Sequence, residues 1–437
     1  MPATGHHGRV PRILVTCLPF AGHVGPMTAV AAELVRRGHE VVAYTGAKYR
    51  TRFETAGARW LPFTRAQDFD DARLAATFPQ VGDGKGLRAA KANSDHVLFG
   101  TASGQAADIH AAAGDTPFDL IVADQLAFGA ALAGEALGTP WVSVAVTVLS
   151  LTSRDLPPPG LRLRPATGRA GRLRDAVLRR ATEPIYRLLV HPHVNRIRAA
   201  AGLGPTSLPA LDSLYSPHLV LAQGVPGLDY PRGDLPAHVH FVGRLAPPPA
   251  PRPQLPSWWP ELATARAEGR PVVYVTQGTL DVDPDDLLRP AIAGLAGEHP
   301  LLVCTTGGSP VATLGPLPGN VRAVPFLPHD VLLPLVDLVV TNGGWGGVLA
   351  AVQAGVPLVV AGGSLDKPEV ARRVAWSGAG LDLRTGTPRP HRVRRAVTRA
   401  LHEPRLRQRA GELGAALRAA GGAHTAGALV EELLARR

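Results

Sequence analysis

The sequence predicts an α/β protein built from two Rossmann-like, doubly wound domains, and three observations predict it. Two strand–turn–helix openings lie about 260 residues apart, one starting at Ile13 and the other at Val272. A proline-rich segment lies between them. At 437 residues the chain is too long for one ordinary core and suggests two domains of about 200 residues each.

In the first opening, residues 13–18 read as a strand and residues 20–25 as a glycine loop. Pro26 suits the first helical position, Gly38 suits the helix end, and residues 41–44 form the next strand. In the second, residues 272–276 read as a strand, Gln277-Gly278-Thr279 as its turn, and residues 285–295 as a helix. Between the openings, residues 244–256 carry six prolines and read as a stiff, extended linker. The expected domains are therefore 1–243 and 257–437. An irregular stretch at 156–171, rich in Pro, Arg and Gly, stands where a loop over a ligand would be placed. The helices after residue 406 carry no recognisable chemistry, and the last of them is expected to pack back on the first domain.

Composition narrows the function classes. Hydrophobic residues make up 45% of the chain, and no apolar run approaches the ~20 residues that span a bilayer. No membrane insertion is expected, and residues 13–18 are strand-length rather than signal-peptide-like. Cys17 and Cys304 each fall in a strand without zinc-site spacing, which fits buried thiols and a cytoplasmic location. The formal charge of +11 comes from scattered basic residues, only four of them lysines, without interleaved aromatics. That argues for a solvated arginine-rich surface and against nucleic acid.

The chemistry-bearing residues sit at strand ends. Gly22-His23-Val24-Gly25 lacks the dinucleotide fingerprint, and the second strand ends in Thr45-Gly46 instead of an acid, which disfavours an oxidoreductase. His23 at the carboxyl edge of a parallel sheet is a candidate general base or a structural histidine. Asp124 ends the strand at 119–124, so it is a candidate orienting carboxylate or a helix cap. In the second half three strand ends converge: Gln277-Gly278-Thr279, Thr305-Thr306-Gly307-Gly308, and Thr341-Asn342-Gly343-Gly344-Trp345-Gly346-Gly347. Small hydroxyls and bare glycine amides at a helix start suit a diphosphate. No P-loop lysine motif occurs. The acidic run at 281–286 precedes a helix and reads as capping rather than metal binding, so no metal is expected.

Together these residues resemble the family 1 glycosyltransferases of the glycosyltransferase B fold, above all the bacterial macrolide and polyketide transferases. The N-terminal signature is Gly22-His23-Val24-Gly25-Pro26. The C-terminal one runs from Phe326-Leu327-Pro328 through Thr341–Gly344 and Ala354-Gly355-Val356-Pro357 to Leu365-Asp366-Lys367. The resemblance implies two domains facing each other across a cleft, the first binding the acceptor and the second the donor. It implies an inverting, metal-independent enzyme without a cofactor, which moves a sugar from a UDP- or dTDP-sugar to a hydroxyl of a hydrophobic small molecule. His23 would be the base and Asp124 its orienting carboxylate. The backbone of Gly344, Trp345, Gly346 and Gly347, with Asn342 and Thr279, would stabilise the diphosphate, and Gln277, Gly278, Thr306, Gly307 and Gly343 would complete the donor site. Phe326 and Leu327 would meet the pyrimidine, and Asp366 and Lys367 the sugar. Trp345 and Phe326 each stand open between a donor contact and core packing.

Three positions depart from the family pattern. Asn342 replaces a histidine, Ala350 stands where a ribose-binding glutamate is usual, and Lys367 replaces a glutamine. An amide can still donate to phosphate but carries no positive charge. These departures motivate two other readings, a non-catalytic auxiliary protein and a sugar-nucleotide epimerase. A monomer or a homodimer is expected.

Overall fold

The computed structural model describes residues 9–81, 87–114, 116–159, 161, 163–166, 168–206, 208–209, 212–247, 254–279 and 283–436. Most of the linker core (248–253) and Asp281 and Val282 of the acidic run lie outside the described residues.

Two parallel sheets organise the chain. The first contains β1 (Arg12–Thr16), β2 (Glu40–Tyr44), β3 (Arg59–Leu61), β4 (Leu120–Asp124), β5 (Trp141–Ala145), β6 (Leu219–Gln223) and β7 (Val239–Gly243). Their spatial order is β3-β2-β1-β4-β5-β6-β7. The second contains β8 (Val272–Thr276), β9 (Leu301–Thr305), β10 (Val321–Val324), β11 (Leu338–Thr341), β12 (Leu358–Val360) and β13 (Gly380–Asp382). These are ordered β10-β9-β8-β11-β12-β13. Strand order reverses direction between β1 and β4 and again between β8 and β11. Those are the two switch points where open α/β sheets leave a crevice at their carboxyl ends.

The strands are continuous apolar runs because helices cover both faces. Successive residues point to opposite sides: Ile13 and Val15 enter one core cluster, and Leu14 enters the cluster across the sheet. In β8, Val272 and Tyr274 face one way and Val273 and Val275 the other.

Local boundaries differ from the sequence reading in three places. The helix after β1 spans Ala21–Arg36, so the expected glycine loop is its first turns and Pro26 lies inside it. The cause is distant: the Asp71 carboxylate accepts a hydrogen bond from the Ala21 N–H at 2.8 Å and starts the helix early. Gly38, at φ +90°, ends it. The helix after β8 begins at Leu288, three residues late, because Asp283 binds the Asp285 N–H at 3.0 Å and holds a turn there. The irregular stretch at 156–171 gives way to a long helix, Arg169–Ala200.

The chain returns to the first domain at its C-terminus. Helix Pro404–Ala419 packs on helix Trp345–Gln353. Gly421 (φ +83°) and Gly422 (φ +58°) then reverse the chain, and the Gly422 N–H binds the Val242 carbonyl at 2.7 Å. Helix Ala423–Ala435 lies against helix Ala21–Arg36, inserts Ala426 and Val430 into that core, and pairs Glu431 with Arg37. Among the described residues, no helix is long and apolar enough to cross a membrane.

Candidate functional site

The β1/β4 switch point brings His23 and Asp124 together. His23 sits in the first turn of helix Ala21–Arg36, and its Nδ1 lies 2.7 Å from Asp124 Oδ2. The Asp124 side chain is fully buried. It also accepts hydrogen bonds from the Leu126 N–H at 2.8 Å and the Leu18 N–H at 3.3 Å. With a carboxylate on Nδ1, the ring proton belongs there and Nε2 presents its lone pair. Burial opposes charge on His23. The charge and hydrogen bond of Asp124 outweigh it, joined by the charges of Asp366 and Asp71, so the pKa is raised above the ordinary histidine value. Asp366 belongs to the second domain, following β12. With Leu149 and Leu151, which follow β5 of the first domain, it lines one cavity, so the carboxyl ends of the two sheets come together there.

At the β8/β11 switch point the three predicted turns converge. A Cβ on Gly307 (φ +68°) would collide with the Gly278 carbonyl, so the turns after β8 and β9 touch backbone to backbone. Gly343 (φ +92°) lies under Val360 and Lys367, where a Cβ would be 2.9 Å from Val360 Cγ1. By contrast, Gly344 and Gly346 face open space. Helix Trp345–Gln353 starts there, and its N-cap residue Gly344 makes no side-chain cap hydrogen bond. Thr279 is exposed on the neighbouring turn.

Several predicted side chains serve the fold. The Gln277 amide donates to the Asp283 carbonyl (2.7 Å) and accepts from the Leu288 N–H (2.8 Å). Asn342 donates to the Gln277 carbonyl, and Thr306 donates to the Ser309 carbonyl. Trp345 is buried, and a Cβ on Gly224 of the first domain would lie 3.1 Å from its ring, so it packs across the domain boundary. Leu327 is buried, whereas Phe326 is 68% exposed and is not core. Lys367 is buried beside Gly343. Among the described residues, no three His, Cys, Asp or Glu side chains stand close enough together to hold a metal ion.

Three features escaped the sequence reading. His329 opens a short helix beside Gly347, where a Cβ would lie 3.7 Å from its ring. Burial, with the charge of Arg244, pushes its pKa down to about 4, so it is neutral at pH 7. It directly follows the Phe326–Pro328 signature, yet nothing in its own spacing marks it. Asp71 caps the His23 helix from 50 residues away. Finally, Asp229 receives Arg232 (2.7 Å) from its own domain and Arg373 (2.8 Å) from the second. Beside this cluster lies a cavity of about 190 Å³ between the domains, lined by Leu149, Leu151, Leu156, Pro157, Leu365 and Asp366 among others.

Comparison with known proteins agrees with this geometry. Residues 301–426 match the family described as erythromycin biosynthesis protein CIII-like, C-terminal domain. The chain is 42% identical to 4'-demethylrebeccamycin synthase of Lentzea aerocolonigenes, over 92% of this chain and 94% of that protein. It is 30% identical to UDP-glycosyltransferase 2 of Phaeomoniella chlamydospora, over 92% and 91%. Among solved structures, the kitacinnamycin glycosyltransferase superposes with a TM-score of 0.76 at 24% identity, covering 98% of this chain and all of that one. The glycosyltransferase VinC, solved in complex with dTDP, superposes with a TM-score of 0.69 at 26% identity and the same coverage. On the length and identity of these matches, the chain belongs to the family 1 natural-product glycosyltransferases of the glycosyltransferase B fold.

Proposed function

We propose that this glycosyltransferase moves a sugar from a UDP- or dTDP-sugar to a hydroxyl of a hydrophobic small molecule, with inversion and without a metal ion. The observation that carries the reading is the His23–Asp124 pair at the carboxyl edge of the first sheet, with the glycine-rich helix start at Gly344–Gly347 at the carboxyl edge of the second. His23 Nε2 takes the proton as the acceptor oxygen attacks C1 of the sugar. The bond from C1 to the diphosphate breaks on the far face, which inverts the anomeric centre. Charge then builds on the departing phosphate, where the first N–H groups of helix Trp345–Gln353 and the Thr279 hydroxyl stand ready. These groups supply the compensation that a divalent cation would otherwise provide.

In this reading Asp366 meets sugar hydroxyls, supported by its place in the lining of the interdomain cavity, and exposed Phe326 offers a face to the pyrimidine. Both ends of the Gln277 amide hold the turn that carries Gly278 and Thr279. The apolar wall that Leu149, Leu151, Leu156 and Pro157 give the cavity between the domains favours a hydrophobic acceptor. A relative named as a UDP-glycosyltransferase and a solved relative bound to dTDP support either nucleotide. Relatives named as transferases along nearly the whole chain favour the transferase reading over the auxiliary and epimerase readings that Asn342, Ala350 and Lys367 motivate.

His23→Ala is the test, assayed with EDTA present on a panel of hydroxylated aromatic acceptors. The expected result is loss of transfer with UDP or dTDP still raising the melting temperature. Near wild-type turnover by the variant would overturn the mechanism. Loss of wild-type activity in EDTA would overturn metal independence.

A further inference from the structure

Helix Arg169–Ala200 buries little of itself. Leu173, Val177, Ile185, Leu188 and Leu189 are 53–74% exposed. At about 100° per residue, Leu173, Val177 and Leu188 fall within roughly 60° of one another, with Ile185 and Leu189 adjoining them. They form a largely apolar face about 24 Å long and about 160° wide, into which Arg174 also projects. Exposed Arg169, Arg180 and Arg187 fall together along one edge of it. The helix holds eight arginines against two acids: Asp175 is buried and paired with Arg174, and Glu183 pairs with Arg187 at 3.0 Å. A stripe of this size on a soluble domain marks an interaction surface.

We propose that this helix lies on an anionic lipid surface, its leucines at the headgroup boundary and its arginines against lipid phosphates. Two features favour lipid over protein. An antiparallel symmetric contact between two copies would set arginine rows against each other. The leucines also project from the outward side of a single helix, a shape that a fluid interface takes without a matching groove. Lying on the surface differs from spanning it.

The inner side of the same helix holds the acceptor-side loop. Arg179 donates to the Leu156 carbonyl (2.7 Å), and Tyr186 donates to the Pro159 carbonyl (2.5 Å). Residues 156–159 line the interdomain cavity. Docking would therefore place an apolar acceptor dissolved in the bilayer beside that cavity. This corollary rests on the acceptor reading above, whereas lipid binding itself does not.

The test is co-sedimentation of the full chain with phosphatidylcholine vesicles, with and without phosphatidylglycerol. The wild type is expected to pellet with the phosphatidylglycerol vesicles only. Raising salt from about 0.1 M to about 1 M should release it. The Leu173→Asp/Leu188→Asp and Arg180→Glu/Arg187→Glu variants should each lose roughly tenfold or more in partitioning, with unchanged thermal unfolding. Absence of wild-type binding, equal binding to both vesicle types, or unaltered binding by both variants would overturn the proposal. So would a wild-type dimer in light scattering that Leu173→Asp/Leu188→Asp converts to monomer. Loss of transfer by His23→Ala with retained vesicle binding would leave the two conclusions standing separately.

Discussion

Asp124→Asn preserves the volume of a fully buried side chain while removing its charge and one of its two acceptor oxygens. Oδ1 accepts from the Leu126 N–H at 2.8 Å, while Oδ2 accepts from His23 Nδ1 at 2.7 Å and the Leu18 N–H at 3.3 Å. If the amide oxygen keeps Leu126, its NH₂ faces His23 and forces Nδ1 to accept. The ring proton then moves to Nε2, which can no longer act as a base. Loss of a positioned base corresponds to roughly 10²–10⁴ in kcat, or about 3–5 kcal/mol of barrier at 1.36 kcal/mol per decade. The sign of the pH effect also follows. Only neutral His23 takes a proton, so kcat/KM rises with pH through its raised pKa. Removing Asp124 removes the main raising influence, so the inflection moves to lower pH. Steady-state kcat/KM across pH at fixed donor measures both. A loss smaller than about fivefold, or an inflection that stays in place, would refute the assignment.

Four further outcomes can be checked. Gly343→Ala, at φ +92° and 2.9 Å from Val360 Cγ1, should cost about 1–3 kcal/mol; chemical denaturation reads the stability and UDP or dTDP titration the turn beside it. Asp229→Ala leaves Arg232 and Arg373 facing each other, with side chains only 3–8% exposed in the cluster, and should cost about 3–5 kcal/mol in urea unfolding; a change below ~1 kcal/mol would show the pair to be idle. Glu33 is held down to about 2, first by its hydrogen bond from Arg36, against burial, and then by Arg37. Its stabilisation is present above about 4.5 and lost as pH falls through about 2, so Glu33→Gln should flatten the acid limb of stability against pH. The charged His23–Asp124 pair behaves in the opposite sense: its contribution is full below about 6.5 and lost as pH rises through the raised pKa, so Asp124→Asn should destabilise more at pH 6 than at pH 9.

Features carried by local pattern were legible in the sequence. Buried parallel strands are unbroken apolar runs, so β1, β2, β8 and β9 could be read directly, and the order strand–glycine turn–helix placed His23 and Gly343–Gly347 at carboxyl edges. Gly38 was readable because an αL helix end favours glycine. What could not be read depends on residues far apart in the chain. Pro26 looks like a helix start until Asp71 caps Ala21. Gln277 looks like a ligand contact until its amide is seen holding Asp283 and Leu288. His329 follows the sugar-donor signature by one residue, yet only burial against Gly347 and near Arg244 makes it notable. The arginine-rich helix gave no periodic signal of a packed face because so little of it is packed.

The contacts between the domains bear on how donor and acceptor choice can vary. Helix Lys367–Ser377 begins directly after Asp366 and carries Arg373 six residues beyond its first residue. Arg373 binds Asp229 of the first domain and reaches the Leu149 carbonyl at 3.4 Å, which Arg232 also reaches at 3.2 Å. The Leu149 segment lines the cavity that Asp366 and Leu365 close from the other side. One cluster of three charged side chains thus anchors both the helix that begins after Asp366 and the loop that lines the interdomain cavity. A shift of either element moves a guanidinium that the other requires, and an uncompensated buried charge costs more than most surface changes can offset. Under the proposed function, donor recognition at Asp366 and acceptor shape at residues 149–157 would be joined through Asp229, although they belong to different domains.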